Sequence, residues 1–242
     1  MSAPELLSII VPVYNEVRTV RAVIDRLLAI DLPVAREILI VDDGSTDGTR
    51  EVLGAATAER LAVTVIEAPR NAGKGSAIRL GLRHVRGSIV AIQDADLELD
   101  PQQLAGLVGP IVRGETVVVY GSRFLHGRSG APLVTTVANR VLTAATNVLF
   151  GSKLTDMETC YKVMRTEVAR SLNLTADRFD IEPEITARLL RLGHRIQELP
   201  VRFDARSRAQ GKKIGWRDGI RALQVLAIER FRNPQAGTRK GR

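Results

Sequence analysis

The chain has 242 residues, 45% of them hydrophobic, enough to bury one large core or two small ones. Its single cysteine, Cys160, excludes an intramolecular disulfide framework and a cysteine-based zinc site, and fits a reducing compartment. The net charge of +8 is localised: residues 202–242 hold 12 of the 35 Lys/Arg but only 3 of the 27 Asp/Glu. A nucleic acid, an anionic membrane surface or a phosphorylated substrate would therefore meet one segment rather than the whole surface. No apolar run approaches the roughly 18 residues a spanning helix needs. The opening MSAPELLSIIVPVYNE lacks the basic region of a signal peptide. Both point to a cytoplasmic protein.

In chain order, Ser8–Tyr14 is a short β-branched run that predicts a buried strand, and Val17, Val20, Val23, Ile24, Leu27 and Leu28 follow at helical spacing. A second strand over 37–41 ends in Asp42-Asp43-Gly44-Ser45, and Thr46 or Asp47 is placed to cap a helix running to about residue 60. A strand at 62–67, a helix at 74–85 and a strand at 88–93 continue the alternation. A helix opened by Pro101 and a strand at 116–120 complete it. This β-α-β-α order predicts an α/β fold with a mainly parallel sheet covered on both faces. Ligands of such sheets sit beyond the carboxyl ends of the strands, which gathers Tyr14-Asn15-Glu16, Asp42-Asp43-Gly44-Ser45 and Asp94-Ala95-Asp96 at one rim. Further on come a loop at 121–132, a helical stripe from Val134 to Leu149 without an acid, and a helix at 181–192. A strand at 195–203 and a basic helix at 217–232 close the order, with a frayed basic tail at 233–242.

Asp94 and Asp96 end an apolar strand, so their oxygens can converge on one hard cation, Mg2+ or Mn2+, with Glu98 supplying a further ligand. Asp100 beside Pro101 reads instead as a helix cap. Asp42 or Asp43 is placed to accept the N–H of a nucleotide base, although a turn and a cap also require these residue types. Asn71-Ala72-Gly73-Lys74-Gly75 is not a Walker A loop, because Gly75 stands where Ser or Thr belongs. Lys74 at a helix N-terminus remains suited to an anion. The three histidines, His84, His126 and His194, have no ligand spacing.

Taken together, SIIVPVYNE, EILIVDDGSTDGT, NAGKGSAIRLGL, QDADLELDP, VVYGSRF, DMETCYKVMR, IEPEITARL and GKKIGWRDG resemble glycosyltransferase family 2 of GT-A fold, in its dolichyl- or polyprenyl-phosphate sugar synthase group. The resemblance implies one GT-A domain over 1–232, with a nucleotide-binding half at 1–121 and an acceptor- and membrane-proximal half at 122–232. Pro12, Tyr14 and Glu16 would border the nucleotide, and Asp43, with Val41 behind it or Asp42 as alternative, would contact the base. Lys74 would join them on the donor. Asp94, Ala95 and Asp96 would meet the sugar nucleotide and its metal, Glu98 standing where mannosyl members often carry Gln. Arg123 would approach a donor or acceptor phosphate, with Arg140 beside it, and Arg206 and Lys212 would close over the diphosphate.

The implied reaction is inverting hexosyl transfer from a UDP- or GDP-linked sugar to a lipid phosphate on an anionic membrane surface. Attachment there would be peripheral, on the cytoplasmic face, or through a membrane-protein partner. A phosphate monoester is already largely a dianion at pH 7 and needs no strong base; for a hydroxyl acceptor, Glu158 or Asp156 would be the base. Rival readings are a soluble family 2 enzyme with a sugar or small hydroxyl acceptor, a nucleotidyltransferase, and a non-catalytic scaffold. A nucleic-acid partner is disfavoured, because three Tyr and one Trp form no basic-aromatic run.

Overall fold

Valine and isoleucine runs build the centre of the sheet. In the computed structural model, which describes residues 5–58, 60–125, 130–205 and 216–232 (with side chains only from 218 in the last segment), β1 (Leu6–Val13) pairs in parallel with β2 (Ala35–Asp42) and β4 (Ile89–Ile92). β3 (Val63–Glu67) extends the sheet beyond β2. Ile9, Ile10 and Val11 are all fully buried, because helices cover both faces; the run is therefore continuous rather than alternating. Those helices are α1 (Val20–Ala29), α2 (Thr49–Thr57), α3 (Lys74–His84) and α4 (Leu104–Val112). The α2 start is held by Asp47, which accepts the Thr49 N–H at 3.1 Å; Asp100 accepts the Gln102 N–H ahead of the 3-10 turn Pro101–Gln103. Asp100 caps as its residue type suggests, whereas α2 has Gly48 at its N-cap, with the expected Asp47 one position earlier.

Beyond β4 the order changes. β6 (Lys162–Arg165) inserts antiparallel between β4 and β5 (Val118–Ser122), and β7 (Gln197–Pro200) pairs in parallel outside β5. The sheet reads β3-β2-β1-β4-β6-β5-β7, the mainly parallel arrangement expected. Neither β6 nor the short α6 (Thr166–Ser171) was legible in the sequence, and the strand expected over 195–203 contracts to four residues. Because β6 runs backwards, its first residue lies at the rim where β1, β4 and β5 end. Residues 156–161 thus run along that rim.

Three further helices pack together: α5 (Leu133–Phe150), α7 (Ile181–Arg191), which also joins the main core through Ile181, Ile185 and Leu189, and α8 (Trp216–Phe231). Their common core is Leu142, Met157, Ala187, Ala222 and Leu226. α5 packs chiefly on α8 and α7 rather than on the sheet, and only Leu142, Thr143 and Thr146 of its 18 residues are buried. With a mean hydropathy of 1.2 it meets the length and composition of a spanning segment, which corrects the expectation that no segment approaches one. Ion pairs orient α8: Glu229 takes Arg188 at 2.9 Å and Arg191 at 2.7 Å, and Arg221 reaches Asp180 at 2.9 Å.

Candidate functional site

The side of the rim expected to meet a nucleotide is built by loops that hold one another. Asn15, with φ 54°, receives the Thr46 N–H on its side-chain oxygen at 2.8 Å and donates its own N–H to Ser45 at 3.0 Å. Glu16 donates its N–H to Thr49 at 3.0 Å, which leaves Tyr14 and Glu16 part-exposed at the edge. Pro12 and Val41 are register partners in β1 and β2, and Val41 is fully buried behind the rim.

The two aspartates expected to meet a base are engaged by the protein itself. Asp42 is fully buried and takes the Arg50 guanidinium at 2.7 Å and the Ser45 N–H at 3.1 Å. Asp43 accepts the N–H groups of Ala72 and Gly73 at 2.9 and 2.7 Å. Burial, with the Asp42 charge adding to it, outweighs those bonds and holds the Asp43 carboxyl above its usual range. Asp42 thus anchors Arg50 and its own turn, while Asp43 fixes the backbone of the 72–73 loop.

That loop also explains the glycines of NAGKG. Gly73 has φ 106°, and a Cβ there would lie 2.5 Å from the Asp177 carbonyl oxygen. A Cβ on Gly75 would strike the Ala176 backbone, and Ser76 donates its N–H to Asp177 at 2.9 Å. Residues 176–178 thus cover the α3 N-terminus, correcting the expectation that it holds an anion. Gly75→Ala is expected to cost about 1–3 kcal/mol by overpacking, read as a Tm fall of roughly 2–12 °C; an unchanged Tm would refute this contact.

Lys74 points instead to the end of β4. Its ammonium lies 2.8 Å from Asp94 and 2.9 Å from Glu182, and Glu182 also pairs with the fully buried Lys162. The result is an alternating row, Asp94–Lys74–Glu182–Lys162. Burial opposes each charge, yet mutual attraction lowers the Asp94 carboxyl and raises the Lys74 ammonium. Ala95 is buried, and Asp96 accepts the Glu98 N–H at 3.1 Å across Leu97, whose φ is 62°. A positive φ at leucine redirects the chain between the acids. Asp94, Asp96 and Glu98 do not converge: among the described residues no three His, Cys, Asp or Glu side chains form a metal-holding group.

The donor chemistry nevertheless fits a hard divalent ion. Asp96 and Glu98 are part-exposed carboxylates two residues apart on the turn, hard oxygen donors of the kind with which magnesium-type ions combine substrate phosphates. Beneath the turn, Gln93 donates to the carbonyls of Asp94 and Leu99 at 3.0 and 3.2 Å. Tyr161 donates to Gln93 at 2.7 Å and lies 2.8 Å from the Asp100 carbonyl. Neither brace was identified from the sequence; the only hint was a glutamine closing an apolar strand.

On the far side of Asp94 the segment 154–160 docks on β5 and α5. Asp156 is fully buried and grips Arg123 through Nε at 2.7 Å and Nη2 at 2.8 Å, and the Arg123 N–H at 3.0 Å. The two expected site residues are thus paired with each other, the Arg123 charge against the Asp156 carboxylate. Arg140, exposed on α5, lies over the Phe124 ring at 5.7 Å. The Oε1 atom of Glu158 is enclosed and has no hydrogen-bond partner among the described residues. Burial first, then Glu182 and Asp156, push its carboxyl up to about 7 against the pull of Lys162 and Arg123. Arg206 and Lys212 lie outside the described residues, as do His126 and the tail from 233.

Comparison with known proteins agrees with this geometry. The family model "Glycosyl transferase family 2" matches residues 8–172. An undecaprenyl-phosphate mannosyltransferase of Micrococcus luteus is 30% identical over 232 residues, 92% of each chain. A dodecaprenyl-phosphate galacturonate synthase of Rhizobium johnstonii is 28% identical over 85% of this chain, which spans 61% of that protein's length. Among solved structures, glucosyl-3-phosphoglycerate synthase of Mycobacterium tuberculosis, in complex with Mn2+, UDP and glucosyl-3-phosphoglycerate, superposes with a TM-score of 0.68 at 24% identity, covering 96% of this chain and 82% of that one. The shared architecture is the GT-A fold. With a family match running from β1 through α6, and strand ends that assemble the expected rim, the chain belongs to glycosyl transferase family 2.

Proposed function

We propose that the protein transfers a hexose from a nucleoside diphosphate sugar to a polyprenyl phosphate at a membrane surface, with a divalent metal. The observation that carries the reading is where the rim meets apolar surface. Asn147 of α5 holds both backbone groups of Leu154, at 2.8 and 2.9 Å, and Thr143 accepts the Met157 N–H at 3.1 Å. The rim is thus fastened to a helix that exposes Val134 at 75%, Val137 at 52% and Val148 at 85%. Beside it, α8 exposes Ile228 at 64% and Phe231 at 82%. Exposed apolar residues gathered on neighbouring helices suit a lipid contact, and the two relatives named above act on prenyl phosphates.

In this reading Tyr14 and Glu16 border the nucleotide, Lys74 holds Asp94 in place, and Asp96 with Glu98 holds the metal. The metal would supply neutralisation of the leaving diphosphate. The acceptor, a dianion at pH 7, attacks without a strong base, which accords with Asp156 being tied to Arg123. Arg140, exposed between the rim and the apolar face, offers an acceptor phosphate a bidentate partner; Arg206 and Lys212 remain the proposed diphosphate contacts. A second reading, transfer to a hydroxyl, is favoured by Glu158, whose carboxyl near 7 has the pKa of a general base at neutral pH.

An assay offering polyprenyl phosphate beside phosphoglycerate and simple sugars separates the two; transfer to a hydroxyl acceptor alone would refute the lipid reading. The arginines are poor probes of the membrane contact, since Arg221 pairs with Asp180 and Arg232 with Glu229. Apolar residues serve better. Ile228→Ser with Phe231→Ser is expected to lower sedimentation with anionic vesicles at least about tenfold, since each side chain contributes about 1.5–3 kcal/mol on burial. Undiminished sedimentation would remove α8 from the contact.

A further inference from the structure

We propose that Glu158 reads the transferred sugar, its carboxyl hydrogen-bonding a hydroxyl of the hexose carried on the donor diphosphate. The assignment rests on the glycosyl-transfer reading and adds to it the group that discriminates among donors.

Topology places the residue. The nucleotide loops lie at the ends of β1 and β2 and the acidic turn at the end of β4, so the diphosphate runs along the rim away from β2. The sugar, the next group along, falls on the side of β6 and β5. Residues 156–160 line that stretch: the Thr159 hydroxyl donates to the Gly121 carbonyl at 2.6 Å at the end of β5, and the Cys160 sulfur lies 3.9 Å from the Ile92 carbonyl at the end of β4. Met157 and Thr159 are fully buried, whereas Glu158 between them is part-exposed.

Bonding state points the same way. Around this stretch Asp156 is matched by Arg123, Lys162 by Glu182 and Asp94 by Lys74. Glu158 has an enclosed oxygen without a partner among the described residues. An enclosed carboxyl oxygen lacking a donor is costly, and a ligand donor removes that cost. The ligand chemistry is restricted as well. The acids Glu182 and Asp156 near Glu158 are opposed by Lys162 and Arg123, so the surroundings supply no clear excess of positive charge for a phosphate, and a carboxyl suits a neutral O–H or amide N–H. A carboxyl near 7 serves such a group as acceptor or donor. A site that hydrogen-bonds a particular hydroxyl rejects a sugar presenting it in the wrong direction.

The test uses the full chain, with Glu158→Gln and Glu158→Ala titrated calorimetrically in Mn2+. The probes are UDP, GDP, UDP-glucose, UDP-N-acetylglucosamine and GDP-mannose. Affinity for the bare nucleoside diphosphate is expected to stay within about twofold of wild type, while the preferred sugar nucleotide weakens about tenfold in Glu158→Ala and the order of hexoses changes in Glu158→Gln. An unchanged Tm of Glu158→Gln shows that the fold is kept. Equal weakening for diphosphate and sugar nucleotide would make Glu158 structural and overturn the assignment. So would unchanged binding with a lower kcat, the signature of a base, or a wild type that binds both ligands equally. A wild type that binds no nucleotide overturns the glycosyl-transfer reading itself.

Discussion

Asp96→Asn is expected to reduce sugar transfer by roughly 100- to 1000-fold, the scale on which losing a transition-state charge stabiliser is felt, while leaving Tm almost unchanged. Two facts separate this residue from its neighbour two positions earlier. Asp96 is part-exposed on the turn and accepts the Glu98 N–H from two residues on. Asp94 belongs to the row Asp94–Lys74–Glu182–Lys162, so Asp94→Asn removes a charge that Lys74 requires and is expected to lower both activity and Tm. The pair of variants therefore distinguishes holding a metal from holding the site together. Binding of Mn2+ in the presence of UDP, followed by paramagnetic resonance, gives a readout independent of turnover: Asp96→Asn should lose it. Turnover of the wild type undiminished by EDTA, or Mn2+ binding retained in Asp96→Asn, would end the assignment.

The contrast also marks how far the sequence could be read. Strands β1, β2 and β4 were legible because each is an apolar run that stops abruptly in polar residues, and that stop is what a parallel strand does at its ligand-facing end. The jobs of those polar residues were not legible. Asp42 and Asp43 look alike in DDGS, yet one binds Arg50 and the other caps a loop 29 residues away. β6 escaped notice because its four residues begin with lysine, a residue almost never buried unless paired. Its partner, Glu182, lies on helix α7, 20 residues on. α7 hides its charges in the same way: Glu182, Glu184 and Arg188 are all buried, and although Glu184 and Arg188 pair four residues apart, Glu182 and Arg188 also take partners from distant segments, Lys74 and Glu229. Hydrophobic periodicity finds apolar faces; it is blind to a core whose charges are paired through the fold.

Arg123 tests that last point most severely. Its resemblance to a phosphate-binding arginine predicts a variant that folds normally and fails in catalysis. Its geometry predicts the reverse order of effects. The guanidinium side chain is 10% exposed and the Asp156 carboxylate fully enclosed, and although burial works against the Arg123 charge, Asp156 holds its pKa above the usual value. Arg123→Met leaves an enclosed carboxylate without its partner and is expected to cost about 3–5 kcal/mol, a Tm fall of roughly 6–20 °C. Asp156→Leu strands the guanidinium and should cost a similar amount. The double variant removes both charges, and apolar replacement of a buried pair is often neutral or better, so it should recover most of the Tm lost by either single change. Activity would follow a different course, because the same pair fixes residues 154–160, and with them Glu158, against β5. The double variant is therefore expected to be stable yet impaired. An Arg123→Met protein with wild-type Tm and abolished transfer would return Arg123 to the substrate phosphates and release Asp156 from its structural role.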